Sequence, residues 1–171
     1  MSVACYSLPV VELKPGEIFV ASEPNIIKTL LGSCVAVCLF SKDHQIAAMS
    51  HCVLPAPKFK NTQDVRYVEH AVASMLEDLN ALGVPLYALE AKLFGGSDMF
   101  SKKFNNDNLK KMIGDANVKA ARQILRGACI KITAEDVGGT RGRVLLLNSA
   151  TGEAFVRLIR PSGITGELAC G

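Results

Sequence analysis

Two blocks of the sequence carry residue types able to do nucleophilic chemistry. The first reads Thr29-Leu-Leu-Gly32-Ser33-Cys34-Val-Ala-Val-Cys38, the second Met49-Ser50-His51-Cys52-Val-Leu-Pro55. A thiol beside an imidazole is the minimum equipment for such catalysis at neutral pH. The imidazole takes the proton, the thiolate attacks, and the same imidazole then protonates the leaving group. A thiol so placed is partly thiolate at neutral pH, so Cys34 is expected to react ahead of the other cysteines. Gly32 lets the backbone turn tightly before the thiol. Backbone N–H groups near Ser33 and Cys34 can then face a developing oxyanion. A third group must hold the imidazole, and Thr29 is a candidate through its hydroxyl or its carbonyl.

Bringing these groups together requires a hairpin. Val35 to Phe40 reads as a buried strand and Ser41-Lys42-Asp43-His44-Gln45 as a polar turn. Ile46 to Leu54 is the returning strand, ended by Pro55 and Pro57. A turn centred on Lys42-Asp43 sets Cys34 directly opposite His51. A turn centred on Asp43-His44 sets His51 opposite Ala36 and makes it the diagonal neighbour of Cys34. Opposite residues share a face with Cβ atoms roughly 5 Å apart, and diagonal ones lie roughly 7–8 Å apart. Either register brings thiol and imidazole together, whereas a slip by one residue sends them to opposite faces. Spacing alone favours the plainer reading, that both are core residues on neighbouring strands. Cys38 and Cys52 read as small buried hydrophobes.

Around this hairpin the elements alternate. Glu17 to Ala21 reads as a short strand, after a stretch to Pro15 with no clear period. Val65, Val68, Val72, Met75, Leu76, Leu79 and Leu82 recur at helical spacing, with Asn61 or Thr62 as cap and Gly83 as stop. Leu86 to Phe94 is a strand halted by Gly95-Gly96. Residues 97–112 read as a surface loop bearing Lys102, Lys103, Lys110 and Lys111. A second helix starts at Asp115 or Asn117 and runs through Val118, Ala121, Ile124 and Leu125 to Gly127. Cys129 to Thr133 is a strand, and Val144–Leu147 with Ala154–Ile159 forms a second hairpin. Hairpins that bracket alternating strands and helices predict an α+β fold, a mixed sheet with helices packed on it, in a single domain. Gly95-Gly96 and Gly138-Gly139 lack a following Lys-Ser/Thr, so they read as turns lining the cleft and not as phosphate loops. His44 and His70 are expected in solvent.

Composition narrows the class. The chain has 171 residues, 49% of them hydrophobic, and a mean hydropathy of +0.25. That suffices for the core of one domain and excludes a disordered chain. A net charge of +3 from 19 basic and 16 acidic residues is too mild and too dispersed for a nucleic-acid binder. The uncharged run Thr29 to Ser41 falls short of the roughly 20 residues a membrane helix needs. With no secretory signal visible, a soluble cytoplasmic domain is expected, and the six cysteines are not expected to form a disulfide framework. A zinc site from Cys34, Cys38, His51 and Cys52 would need four converging ligands, which strand alternation opposes. No metal or cofactor is expected.

Over about residues 15–160 the sequence closely resembles the CheD family of chemoreceptor glutamine deamidases. The resemblance rests on Leu-Gly-Ser-Cys-Val-Ala-Val at 31–37, Met-x-His-x-x-Leu-Pro at 49–55, and Leu89-Glu-Ala-Lys-Leu-Phe-Gly-Gly-Ser-Asp-Met-Phe100. It extends to Ala134-Glu-Asp-Val-Gly-Gly-Thr-Arg-Gly-Arg143 and Thr151-Gly152. It implies one domain over 1–171 with loose tails, folded as a mixed α/β sandwich related to the cytotoxic necrotizing factor toxins. It also implies Cys34 as nucleophile, His51 as general base and a Thr upstream of the Cys, here Thr29. By resemblance the substrates are glutamine side chains of methyl-accepting chemoreceptors, with glutamate methyl esters as a second class, and a CheC-type phosphatase is a partner. The sequence departs from the family at Asp115-Ala116-Asn117, where an Arg or similar residue usually precedes Asn. A competing class is a non-catalytic adaptor, which would have no need of a thiol–imidazole pair.

Overall fold

The computed structural model describes residues 7–57, 63–98 and 108–160, with side chains of the last segment from Ile113 onward. Nine strands and two helices run in the order β1 Val10–Glu12, β2 Ile18–Ala21, β3 Ile26–Leu31, β4 Val35–Ser41, β5 Ile46–Ser50, α1 Val68–Ala81, β6 Glu90–Gly95, α2 Asn108–Gly127, β7 Lys131–Val137, β8 Arg143–Asn148 and β9 Ala154–Leu158. They form two sheets, one ordered β1-β3-β8-β9 and the other β2-β5-β4-β6-β7. Both are mixed: β1 runs parallel to β3 and β7 parallel to β6, while the other pairs are antiparallel. The mixed strands with helices packed on them are those expected from the element order, and the two-sheet α+β sandwich is the one the family resemblance implied.

The central strand β4 explains how the layers stack. Every one of its residues is buried, because each of its two faces meets a different core. Val35, Val37 and Leu39 point into a cluster with Val72, Met75 and Leu79 of α1 and Ala121 and Leu125 of α2. Ala36, Cys38 and Phe40 point the other way, onto Ile27, Leu31, Leu145 and Leu147 of the second sheet. A strand covered on both sides reads as a continuous apolar run, as this one does. The helices cover one face of the five-stranded sheet and the four-stranded sheet covers the other.

Several element limits differ from the sequence reading, each for a local reason. The helix expected around Val65 begins at Val68. Before it, the Asp64 carboxylate accepts from the Arg66 N–H and guanidinium, and the Arg66 carbonyl accepts from Val53 and Leu54 N–H. That turn presents Val65 to the core without helical geometry; Asn61 and Thr62 lie outside the described residues. Leu86–Ala88 is a single 3-10 turn with Tyr87 exposed, so the strand starts only at Glu90. The second helix begins at Asn108, inside the stretch read as a loop, and Asn117 sits mid-helix and not at a cap. Bonds closing that helix occupy the N–H groups of Ala128, Cys129 and Ile130, so Cys129 is an exposed turn residue with φ 57° and the strand waits until Lys131. At the other end, the first strand begins at Val10, within the stretch to Pro15 that has no clear period, because β1 pairs with β3 and Leu13 extends the pairing to the Lys28 carbonyl. Lys102, Lys103, Cys5, Cys170 and the tail after 160 lie outside the described residues, as do the side chains of Lys110 and Lys111. No helix among the described residues is long and apolar enough to cross a membrane.

Candidate active site

The first hairpin decides the site. Cys38 pairs with Met49, Ser41 with Ile46 and Val35 with Cys52, the register of a turn centred on Asp43-His44. His51 therefore lies across from Ala36 and is the diagonal neighbour of Cys34. Alternation sends His51 to the same face as Met49, between the two sheets, where Cys34 also packs. Cys52 takes the opposite face, under the helices, and its thiol donates to Ser50 at 3.3 Å. Cys34, Cys38, His51 and Cys52 thus do not converge.

The second sheet brings Thr29, the third candidate, to the imidazole. Thr29 is inward-facing on β3, 1% exposed, and its Oγ1 lies 2.8 Å from Nδ1 of His51. The same hydroxyl donates to the Leu13 carbonyl at 2.7 Å. A hydroxyl has one proton. With that proton committed to Leu13, the oxygen accepts from His51, so Nδ1 carries the hydrogen and Nε2 is left as the free base. The imidazole backbone is pinned as well, its N–H donating to the Glu17 carbonyl at 2.9 Å and its carbonyl accepting from Gly16 at 2.8 Å. Of the two routes open to Thr29, the structure uses the hydroxyl. The Leu13 carbonyl was invisible in the sequence, since a backbone acceptor carries no residue signature. Thr29→Val, which keeps the shape and deletes the hydroxyl, is expected to lower kcat about 10-fold, and Thr29→Ser to retain most of it. Steady-state rates of the two variants check this.

Charge states at rest follow from burial. The Cys34 thiol is half-buried, and desolvation raises it above its ordinary range, partly offset by its own backbone N–H. Desolvation lowers His51 below its ordinary 6.5, countered by the Leu13 carbonyl and the Glu17 carboxylate. The resting pair is thus neutral thiol and neutral imidazole, not the partial thiolate that proximity alone suggests. Cys38 and Cys52 are pushed up to about 12 by burial, which leaves them inert.

The turn before β4 is held from several sides. The Gly32 carbonyl accepts from Ser97 N–H at 2.8 Å and the Cys34 carbonyl from Gly96 N–H at 2.8 Å. Between them, the Ser33 carbonyl accepts from Asn117 Nδ2 at 3.1 Å. Ser97 is itself fastened by the fully buried Arg143, whose guanidinium donates to the Ser97 hydroxyl at 2.8 Å, to the Gly138 carbonyl and to Asp136. Gly96 thus holds this turn directly, and Gly138 indirectly through Arg143 and the Gly95 carbonyl. Gly95 has φ 105°, and a Cβ there would stand 2.2 Å from the Cys34 carbonyl oxygen. Gly95→Ala is expected to cost about 2 kcal/mol or more from backbone strain and this clash, read as a lowered thermal unfolding midpoint.

Other candidates fall away from the site. Glu135 pairs with Arg122 of α2 at 2.9 Å and Asp136 with Arg143, facing opposite ways as neighbours on a strand must. His44 is exposed and meets the Ser41 hydroxyl at 2.8 Å. His70, expected in solvent, is half-buried with its ring against Tyr67. A cavity of about 520 Å³ between α2 and β7, lined by Arg122, Arg126, Ile132 and Glu135, holds no nucleophile. Among the described residues no group of three or more His, Cys, Asp or Glu is placed to hold a metal. Asn117 is the residue the sequence reading missed. The signal was present: it falls on the apolar stripe with Ala121 and Leu125, where an amide has no reason to be unless it bonds inward.

A thiol and an imidazole of defined tautomer, set at a backbone turn between two stacked sheets, define the class: a thiol–imidazole site on an α+β sandwich, with the parts for acyl transfer. The chain matches the family model described as CheD chemotactic sensory transduction over residues 53–158. It is 41% identical over 152 residues to "Probable chemoreceptor glutamine deamidase CheD 2" of Geobacter sulfurreducens, covering 88% of this chain and 90% of that protein. It is 39% identical over 145 residues to "Chemoreceptor glutamine deamidase CheD" of Thermotoga maritima, covering 84% and 88%. To the protein of the same name from Halalkalibacterium halodurans it is 37% identical over 154 residues, covering 88% and 94%. The chain belongs to the CheD family.

Proposed function

We propose that this protein is a chemoreceptor glutamine deamidase in which Cys34 is the nucleophile, His51 the general base and Thr29 the residue that orients the base. The observation that carries the reading is the Thr29–His51 hydrogen bond, which leaves Nε2 unprotonated on the face shared with Cys34. The Cys34 proton passes to His51 Nε2 as sulfur attacks the side-chain carbonyl carbon of glutamine. The oxygen becomes an oxyanion facing N–H groups of the Gly32-Ser33-Cys34 turn. His51 returns the proton to the amide nitrogen, the C–N bond breaks, and ammonia leaves behind a thioester. Water, deprotonated by His51, then releases glutamate and the free thiol. A glutamate methyl ester would follow the same path with methanol as leaving group.

The substrate class fits a half-buried thiol. Peptide bonds of a receptor helix are locked in hydrogen bonds, while a glutamine tip projects from the surface. Hydrolysis of the side chain without chain cleavage is the expected result. A helix of a CheC-type phosphatase presented to the same cleft without a hydrolysable amide would compete, making that phosphatase a proposed partner and the cytoplasm the proposed compartment. The test is to incubate the protein with a receptor cytoplasmic fragment and map peptide masses. Each converted glutamine gains about one dalton, amide NH₂ being replaced by OH. Unchanged masses across a competent receptor would remove the deamidase reading and favour the adaptor.

The pH dependence follows from the resting charges. Protonated His51 cannot take the thiol proton, so the rate falls as pH drops through the His51 pKa. Burial places that pKa below 6.5. kcat/KM is therefore expected to stay level through neutrality and to decline only below pH 6.5. A decline centred above pH 7 in a pH–rate profile would contradict it.

A further inference from the structure

We propose that Asn117 is a positioning residue for catalysis: by holding the Ser33 carbonyl it aims the Cys34 N–H at the oxyanion. The inference rests on the deamidase reading. Asn117 is fully buried on α2, with both amide hydrogens in use. One goes to the Ser33 carbonyl at 3.1 Å and the other to the Val53 carbonyl at 3.0 Å. A single side chain thus joins the peptide that carries the nucleophile to the segment just past the base.

The Ser33 carbonyl and the Cys34 N–H belong to one peptide group. A trans peptide is planar, with C=O and N–H pointing in opposite directions. Anchoring the oxygen therefore fixes where the hydrogen points. The carbonyls of Gly32 and Cys34 are anchored too, by Ser97 and Gly96, so the turn directs its acceptors inward toward the glycine turns and α2. Among the described residues no backbone or side-chain acceptor of another residue takes the N–H of Ser33 or Cys34. The Cys34 N–H belongs to the residue whose sulfur attacks, so it stands near the carbonyl oxygen that becomes the oxyanion. A hydrogen bond accepted by a peptide oxygen also polarises that peptide, which strengthens its N–H as a donor. Ser97 and Gly96 hold the ends of the turn through their own backbone; Asn117 alone of the three does so with a side chain, and so can be tested by substitution.

The test separates acyl transfer from simple alkylation at the same sulfur. Attack on an amide develops an oxyanion, whereas alkylation by iodoacetamide displaces iodide and develops none. In Asn117→Ala, kcat for receptor-fragment deamidation is expected to fall about 10- to 100-fold with KM little changed. Cys34 alkylation at pH 8, followed by peptide mass, should fall by no more than about threefold, far less than kcat, because the Cys34 N–H offsets the thiol's desolvation only in part. Asn117→Ser, which keeps one donor, should recover part of the lost kcat. The inference is overturned if kcat is unchanged, or if alkylation falls in step with kcat, since the loss is then general disorder of the site. If Asn117→Ala does not fold, Asn117→Ser and the equally sized Asn117→Asp carry the comparison. Unfolding of all three would make the residue structural and overturn it. Absence of any mass change with the parent protein would overturn the deamidase reading itself, and this inference with it.

Discussion

Cys34→Ala is expected to lower receptor deamidation by about 10³-fold or more while leaving the fold intact, because in the proposed mechanism this thiol forms the acyl intermediate. The side chain is half-buried at the edge of the inter-sheet core, so replacing it by a methyl removes little packing. Cys34→Ser keeps the shape but replaces the thiol with a hydroxyl of much higher pKa, and the same loss is expected. Cys38→Ala makes the contrast. That thiol is 2% exposed between the sheets, and its truncation should cost about 1 kcal/mol of stability with the chemistry retained. Mass mapping of the receptor fragment, together with thermal unfolding of each variant, distinguishes the two positions. Deamidation surviving in Cys34→Ala would sink the mechanism.

The second large effect belongs to His51. His51→Ala is expected to reduce kcat by about 10²- to 10⁴-fold, since the neutral Cys34 thiol has no other described base beside it to take its proton. The loss should shrink toward high pH, where hydroxide ionises the thiol without help, and a pH–rate series on the variant checks this. His51 also ties stability to pH. Its folded pKa is depressed below 6.5, so below pH 6.5 the unfolded chain binds more protons than the folded one. Stability is then fully present above pH 6.5 and is lost as pH falls through the depressed folded value. Replacement by Gln, which cannot titrate, should flatten the urea midpoint across that window. An unaltered slope would mean that His51 titrates normally in the fold.

The neutral resting pair reconciles a reactive site with a quiet one. Desolvation favours the uncharged forms of both partners, so in the proposed mechanism the thiol becomes a nucleophile only when its proton has Nε2 to go to and a carbonyl carbon is in reach. Cys129 is exposed but has no described base beside it, whereas Cys34 has His51. The arrangement favours reaction with a bound acyl carbon over indiscriminate oxidation or alkylation.

How much of this was legible beforehand depends on whether the relevant physics is local. Cys34, His51 and Thr29 stood out as candidates in the sequence, because a Gly-Ser break, a polar turn and a return strand leave few hairpin registers and alternation ties face to register; spacing alone still favoured core residues, and only the family resemblance implied their roles. The α+β order, both helices and both hairpins could be read for the same reason: apolar period and turn residues act over a few positions. The choice of the Asp43-His44 centre over the Lys42-Asp43 one belongs to the folded hairpin, since either register puts Met49 and His51 on the face toward the second sheet and Cys52 under the helices. Tertiary packing brought Leu13, on a segment with no period of its own, to the Thr29 hydroxyl and so decided the imidazole tautomer. It also turned the amide of Asn117, on a helix many residues away in sequence, onto the peptide of the nucleophile. Neither contact has a sequence spacing: the first joins neighbouring strands of one sheet, and the second crosses from the helices to the turn before β4. The charge state of Cys34 and His51 belongs with them, since it is set by how much water the surrounding layers exclude, a property of the folded chain and not of any segment in it.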